Sequence, residues 1–165
     1  MGLRMKFNLV LLLAFAIGLA LAGYLSDQIL KQNAREEVLQ SARIMMESAL
    51  GARAYTVQRI QPLLTLQMKR EFRPETVAAF AAAQSFQALR AKFPDYTYKE
   101  AALNPTNPSD RASDWEADII QEFRNNAERK ELIVERDTPT GRMLNLARPL
   151  GIYNEGCLTC HGKIE

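Results

Sequence analysis

Both cysteines and the single histidine of this chain fall in one short run, Cys157-Leu158-Thr159-Cys160-His161. That crowding restricts what the chain can become. A four-ligand zinc site built from Cys and His is not available within one chain. A Ser-His-Asp or Cys-His mechanism would have to borrow the same His161. The 165 residues suit one domain of ordinary size. With 47% hydrophobic and 24% charged residues, the chain as a whole is neither disordered nor collagen-like. Its 21 basic and 19 acidic residues nearly cancel, to a net charge of +2, which gives no reason to expect a nucleic-acid partner.

The N-terminus reads as a membrane address. Arg4 and Lys6 precede an uncharged apolar run from Leu9 to Leu25. As a helix this run rises about 25 Å, at the short end of what spans a bilayer. The leading cations favour a cytoplasmic N-terminus. Residues 1–25 are therefore a signal anchor, or a signal peptide cut after Ala20-Leu21-Ala22. In both cases everything after Ser26 is exported. The retained anchor predicts a single-pass inner-membrane protein with its domain in the periplasm.

Residues 26–61 form a long helix within a helical pattern that runs from Tyr24 to about Gln61, with Leu25, Ile29, Ala42, Met45, Ala49, Ala52 and Ile60 at three-, four- and seven-residue spacings. Asp27, Lys31, Arg35, Glu36, Glu37, Arg43 and Glu47 give the polar face. So long a helix needs packing as well as propensity, and a homodimer through this helix is one candidate arrangement. Pro62 predicts a break or kink at Gln61.

Residues 62–165 form the remaining domain. Pro74-Glu75 opens a helix that the Ala-rich run carries to Leu89. Tyr96 to Leu103 reads as a strand on its β-forming Tyr96-Thr97-Tyr98. Ser113-Asp114-Trp115-Glu116 is a capping-box pattern opening a helix to about Asn126, with Trp115, Ile119 and Phe123 expected to pack in the core. Glu131 to Arg136 and Arg142 to Ala147 are two further strands, joined as a hairpin by the turn cluster Asp137-Thr138-Pro139-Thr140-Gly141. The fold class is α+β: a membrane helix continuing into a long helix, then an antiparallel sheet with flanking helices.

The pattern Cys-x-x-Cys-His attaches a c-type haem. Cys157 and Cys160 are spaced to form thioethers with the two vinyl groups of one porphyrin, and His161 is then held beneath the iron as the proximal ligand. Export agrees with that assembly, which gives one covalent haem c. The alternatives are a disulfide, a thioredoxin-like pair or a zinc site shared between chains. A thioredoxin-like pair belongs at a strand-to-helix start, whereas this one follows a hairpin and a Gly-containing loop. No second His or third Cys exists to fill the sixth iron position. Met45, Met46, Met68 and Met143 are exported thioethers, and Lys, Tyr, water or an open site are the other options. Arg53, Tyr55, Lys99 and Arg148 are the candidate partners for the anionic propionates.

Several stretches carry a family resemblance. They are Arg53-Ala54-Tyr55-Thr56, Phe93-Pro94-Asp95-Tyr96, Lys99 to Pro108, Asp118 to Phe123, Ala147-Arg148-Pro149 and Cys157 to Gly162. Together they resemble an exported single-haem c-type domain of PAS-like fold, found alone and as the sensor region of membrane histidine kinases. The resemblance implies a haem-based redox or gas sensor, with electron transfer or service as an accessory haem subunit as the other possibility. It also implies a signalling or redox protein partner. Members use a Cys on the long helix as distal ligand, where this chain has Ala49 and Leu50, with Met46 about one turn earlier. Members also continue with further strands past the haem motif, so the PAS-like sheet of three counted strands is expected to be incomplete at the C-terminus or completed by another subunit. No acid-base constellation accompanies the motif, and an enzyme is not expected.

Overall fold

The structure, a computed structural model, describes residues 2–151 and 158. The chain divides into two units, Met1–Ser41 and Ala42–Glu165. Helix α1 (Leu3–Tyr55) forms the first and opens the second. From Leu3 onward the first unit is helical, as its apolar run and the lack of proline favour. Its apolar stretch is long enough to cross a membrane, and none of it is buried inside the protein. Beyond that stretch the helix is polar. Lys31 pairs with Asp27 at 2.7 Å and Gln32 donates to Glu36 at 3.0 Å, both at the four-residue spacing that brings side chains together on a helix surface.

In the second unit α1 does not break at Gln61. The helix instead widens into a π-helical turn, Thr56–Ile60, and resumes as α2 (Gln61–Met68) with Pro62 in its first turn. The cause is that proline. It has no N–H to donate to the carbonyl of Gln58, and its ring presses on that carbonyl in a regular α-helix. A wider turn relieves the clash while the chain keeps its direction. Thr56, in this turn, is buried and returns its hydroxyl to the Ala52 carbonyl at 2.9 Å.

The expected helix from Pro74 to Leu89 is split. Pro74–Thr76 is a 3-10 turn, Val77 is extended (φ −87°, ψ 117°), and α3 runs Ala78–Arg90. Buried Thr76 bonds back to the Arg73 carbonyl at 2.6 Å, and the Gln61 amide donates to the Thr76 carbonyl at 2.9 Å. Those two bonds fix the turn against the π segment. The buried residues there, Thr56, Thr76 and Ala82, are small, so backbones approach closely.

The expected strand from Tyr96 to Leu103 does not form. Its one ladder contact is an isolated parallel bridge, Ala102 to Arg111, closed by Ala102 N–H to Asp110 and Ala112 N–H to Ala102, both at 2.9 Å. The Pro108–Asp110 3-10 turn lies inside that loop. Helix α4 (Asp114–Asn125) starts as its capping box dictates: the Glu116 carboxylate accepts from the Ser113 N–H at 2.8 Å and the Ser113 hydroxyl at 2.7 Å.

Strands β1 (Leu132–Thr138) and β2 (Gly141–Ala147) pair antiparallel, from Leu132 opposite Ala147 to Thr138 opposite Gly141. Pro139 and Thr140 make the turn, and Gly141 takes the positive φ of +125° that follows it. Among the described residues the sheet has these two strands rather than the three expected. Leu132, Val134 and Arg136 share one face of β1 and, with Trp115, Ile119 and Glu122 of α4, line a surface groove of about 430 Å³. Trp115, Ile119 and Phe123 are half-buried rather than core residues, and the Arg136 guanidinium lies 4.1 Å from the Trp115 ring.

Candidate functional site

Cys157, Cys160 and His161 lie outside the described residues. What the structure describes is the chain that leads to them and the helix face it meets. Among the described residues no group of three or more His, Cys, Asp or Glu could hold a metal ion. The motif's own donors, two thiols and an imidazole, are the set that a covalent haem uses, and so fit that group.

Arg148 follows the last residue of β2 and stands nine positions before Cys157. Its Nε and Nη2 donate to one carboxylate oxygen of Glu131 at 3.0 and 2.9 Å, and its Nη1 donates to Glu47 of α1. The other Glu131 oxygen accepts from Nε and Nη2 of Arg43, also on α1, at 3.0 and 2.7 Å. One carboxylate thus holds two guanidinium forks. The hydrogen bond from Arg43 is the main reason that the Glu131 carboxyl titrates below its ordinary value, with Arg148 adding to it. Arg148 is held above its ordinary value, first by its bond to Glu47. Arg43 is raised in the same way by Glu131.

The methionines divide by face. Met45 shares the helix stripe of Ala49, Ala52 and Thr56, of which Ala49 and Thr56 are fully buried. Met46 lies between Arg43 and Leu50 at the three- and four-residue spacing, next to Glu47. Both methionines are half-buried, as are Met68 and Met143. Met46 is thus a shielded thioether on the same turn of α1 that Arg148 reaches.

Arg53 lies further along α1 and is paired with Glu100. The other Glu100 oxygen accepts from the Tyr98 hydroxyl at 2.8 Å. Burial first, and then the Glu100 charge, push the Tyr98 phenol well above its usual range. Tyr55 is exposed and, with Gln58, Arg59, Pro62 and Leu63, lines an open groove of about 460 Å³. Lys99 bonds the Arg111 carbonyl and the Glu116 carboxylate, each at 2.7 Å. Burial alone would raise the Glu116 carboxyl, but the bonds from Lys99 and Ser113 hold it below its ordinary value.

Of the residues singled out from the sequence, Arg148 and the Met46 turn come together, while Arg53 belongs to a separate pair. Glu131, Glu47 and Glu100 were not singled out. The four-residue spacing of Arg43 and Glu47 marked only a polar face. Nothing in the linear order ties either residue to a strand about a hundred residues later.

A unit of helices and one hairpin, following an apolar N-terminal helix and leading in sequence into a Cys-x-x-Cys-His run, defines a small α+β protein. The chain belongs to the Tll0287-like family, whose model matches residues 31–165. That span contains every stretch on which the resemblance to a c-type haem domain rests. No curated protein and no solved structure matches the chain.

Proposed function

We propose that the chain is a membrane-anchored, exported c-type protein carrying one covalent haem, and that it acts as a haem-based redox or gas sensor of PAS-like type. The observation that carries the proposal is the family match over residues 31–165, which includes the whole of Cys157-Leu158-Thr159-Cys160-His161. In this reading Cys157 and Cys160 would hold the haem through thioethers, His161 would supply an imidazole to its iron, and the apolar N-terminal helix keeps the domain at the membrane. The haem supplies a one-electron couple and an iron that binds a sixth ligand. The chain supplies its orientation, its shielding and that ligand.

Met46 is the proposed sixth ligand. It is a thioether half-shielded on α1, one turn from the helix position where the family resemblance places a sulfur ligand. A thioether supplied from that position would raise the reduction potential and close the iron to gases, which favours redox sensing. Electron transfer to a membrane partner is the second reading, because a closed Met/His iron suits it equally well. CO binding to the ferrous protein tests the ligation. The expected result is slow binding in the wild type and fast binding in Met46→Ala, with Met45→Ala unchanged. Equal and fast binding in all three would remove Met46 from the iron and favour gas sensing.

A further inference from the structure

We propose that Glu131 is a positioning residue for the haem-bearing segment: it clamps Arg148, at the head of that segment, to the turn of α1 that carries Met46. The inference rests on the haem reading above.

The register of the hairpin places the clamp. Leu132 faces Ala147 in the last described pair, so Glu131 and Arg148 occupy the next cross-strand position, at the open end of the hairpin. On β1 and β2 this position shares its face with Ile133 and Leu146, opposite to the face that lines the α4 groove with Leu132 and Val134. Arg43 and Glu47 meet this pair from α1, one helical turn apart and on either side of Met46. Among the described residues the path runs from Met46 through its neighbours Arg43 and Glu47 to Glu131 and Arg148.

The chemistry of the cluster suits it to positioning as well as to a modest stabilisation. Two guanidiniums and two carboxylates leave it without net charge. The Arg148 and Glu131 side chains are about one-fifth exposed, and Glu47 about two-thirds, at 21%, 23% and 66%. The outer pairs to Arg43 and Glu47 reach water and contribute little energy, so most of what the cluster stabilises falls on the Glu131–Arg148 bond. A planar fork on each oxygen of one carboxylate nevertheless fixes orientation, which a flexible lysine in place of either arginine would not do. All three nitrogens of Arg148 are engaged by carboxylates of this chain, which suits it to holding the segment.

The test uses the full chain in detergent, produced with haem-maturation machinery. Glu131→Gln keeps the shape and removes the charge; Arg148→Lys keeps the charge and removes the fork. Both are expected to retain covalent haem. Both are also expected to lose the near-infrared Met-to-iron band of the ferric protein, to lower the midpoint potential and to bind CO faster. The exchanged pair, Glu131→Arg with Arg148→Glu, sets like charges against Arg43 and Glu47 and is expected to leave the band lost. Haem-loaded Glu131→Gln and Arg148→Lys with wild-type band, potential and CO rate would overturn the role, even if hydrogen exchange over residues 143–151 increased. Should Glu131→Gln fail to fold, Arg148→Lys decides alone by the same readouts. Wild-type protein without covalent haem would overturn the functional reading itself and this role with it.

Discussion

Tyr98 lies flat against Phe86, with ring centroids 4.6 Å apart and planes inclined by 18°, and turns its hydroxyl to Glu100 at 2.8 Å. Phe86 belongs to α3, and Glu100 is paired with Arg53 of α1. One aromatic residue therefore ties two helices to the loop between α3 and α4. Tyr98→Phe keeps the stack and removes the donor, leaving a half-buried carboxylate with one partner fewer. A hydrogen bond to a charged acceptor contributes roughly 1.5 to 3 kcal/mol. The variant is expected to lose about 1.5 kcal/mol in urea unfolding, whereas Tyr98→Ala, which also loses the stack, loses more. Equal losses in the two variants would mean that the ring does not contribute.

Acid should weaken the second unit. The Glu131 and Glu116 carboxyls titrate below the ordinary value of 4.5, the first held down chiefly by Arg43 and the second by Lys99 and Ser113 against its burial. A depressed folded value means that the folded state releases these protons more readily than the unfolded chain does. The resulting stability is fully present above 4.5 and disappears as pH falls through the lowered values. Thermal unfolding followed against pH is expected to decline below that point. Glu131→Gln is expected to be the weaker protein at neutral pH and to converge on the wild type in acid. Parallel curves for the two would show that Glu131 is not the titrating group.

Gly141 stands at φ +125°, where an L side chain is strained although nothing within 4 Å would obstruct a Cβ. Gly141→Ala thus isolates backbone strain from crowding. It is expected to cost about 1 to 3 kcal/mol and to loosen the Thr138–Gly141 end of the hairpin first. Amide exchange along β1 and β2 would show this as a gradient from the turn. Uniform loss along both strands would instead indicate failure of the whole hairpin.

The elements that local rules decide were legible in the sequence. The apolar N-terminal helix, α4 behind its Ser113–Glu116 box, and the hairpin with Gly141 past the turn all follow from patterns within a few residues. Tyr96 to Leu103 does not form the expected strand because Tyr and Thr fit any half-buried surface, and here the Tyr98 ring is used against Phe86 rather than along a ladder. Pro62 signalled a disruption, but the sequence did not show that a π turn would absorb it upstream. The Glu131 clamp was invisible for a different reason. Its partners lie 88 and 17 residues away along the chain, and local patterning carries no information about which of many charges will meet.

A covalent haem at Cys157, Cys160 and His161 is the feature on which every proposed role of this chain depends. The full chain, made with haem-maturation machinery, is denatured and separated from free cofactor, and the haem remaining on the polypeptide is quantified. The expected result is one haem per chain in the wild type, reduced attachment in Cys157→Ser and in Cys160→Ser, and no covalent haem when both are replaced. In His161→Ala any haem that does attach should lack the proximal imidazole spectrum. Wild-type chain that releases all its haem on denaturation, or carries none, would contradict the account.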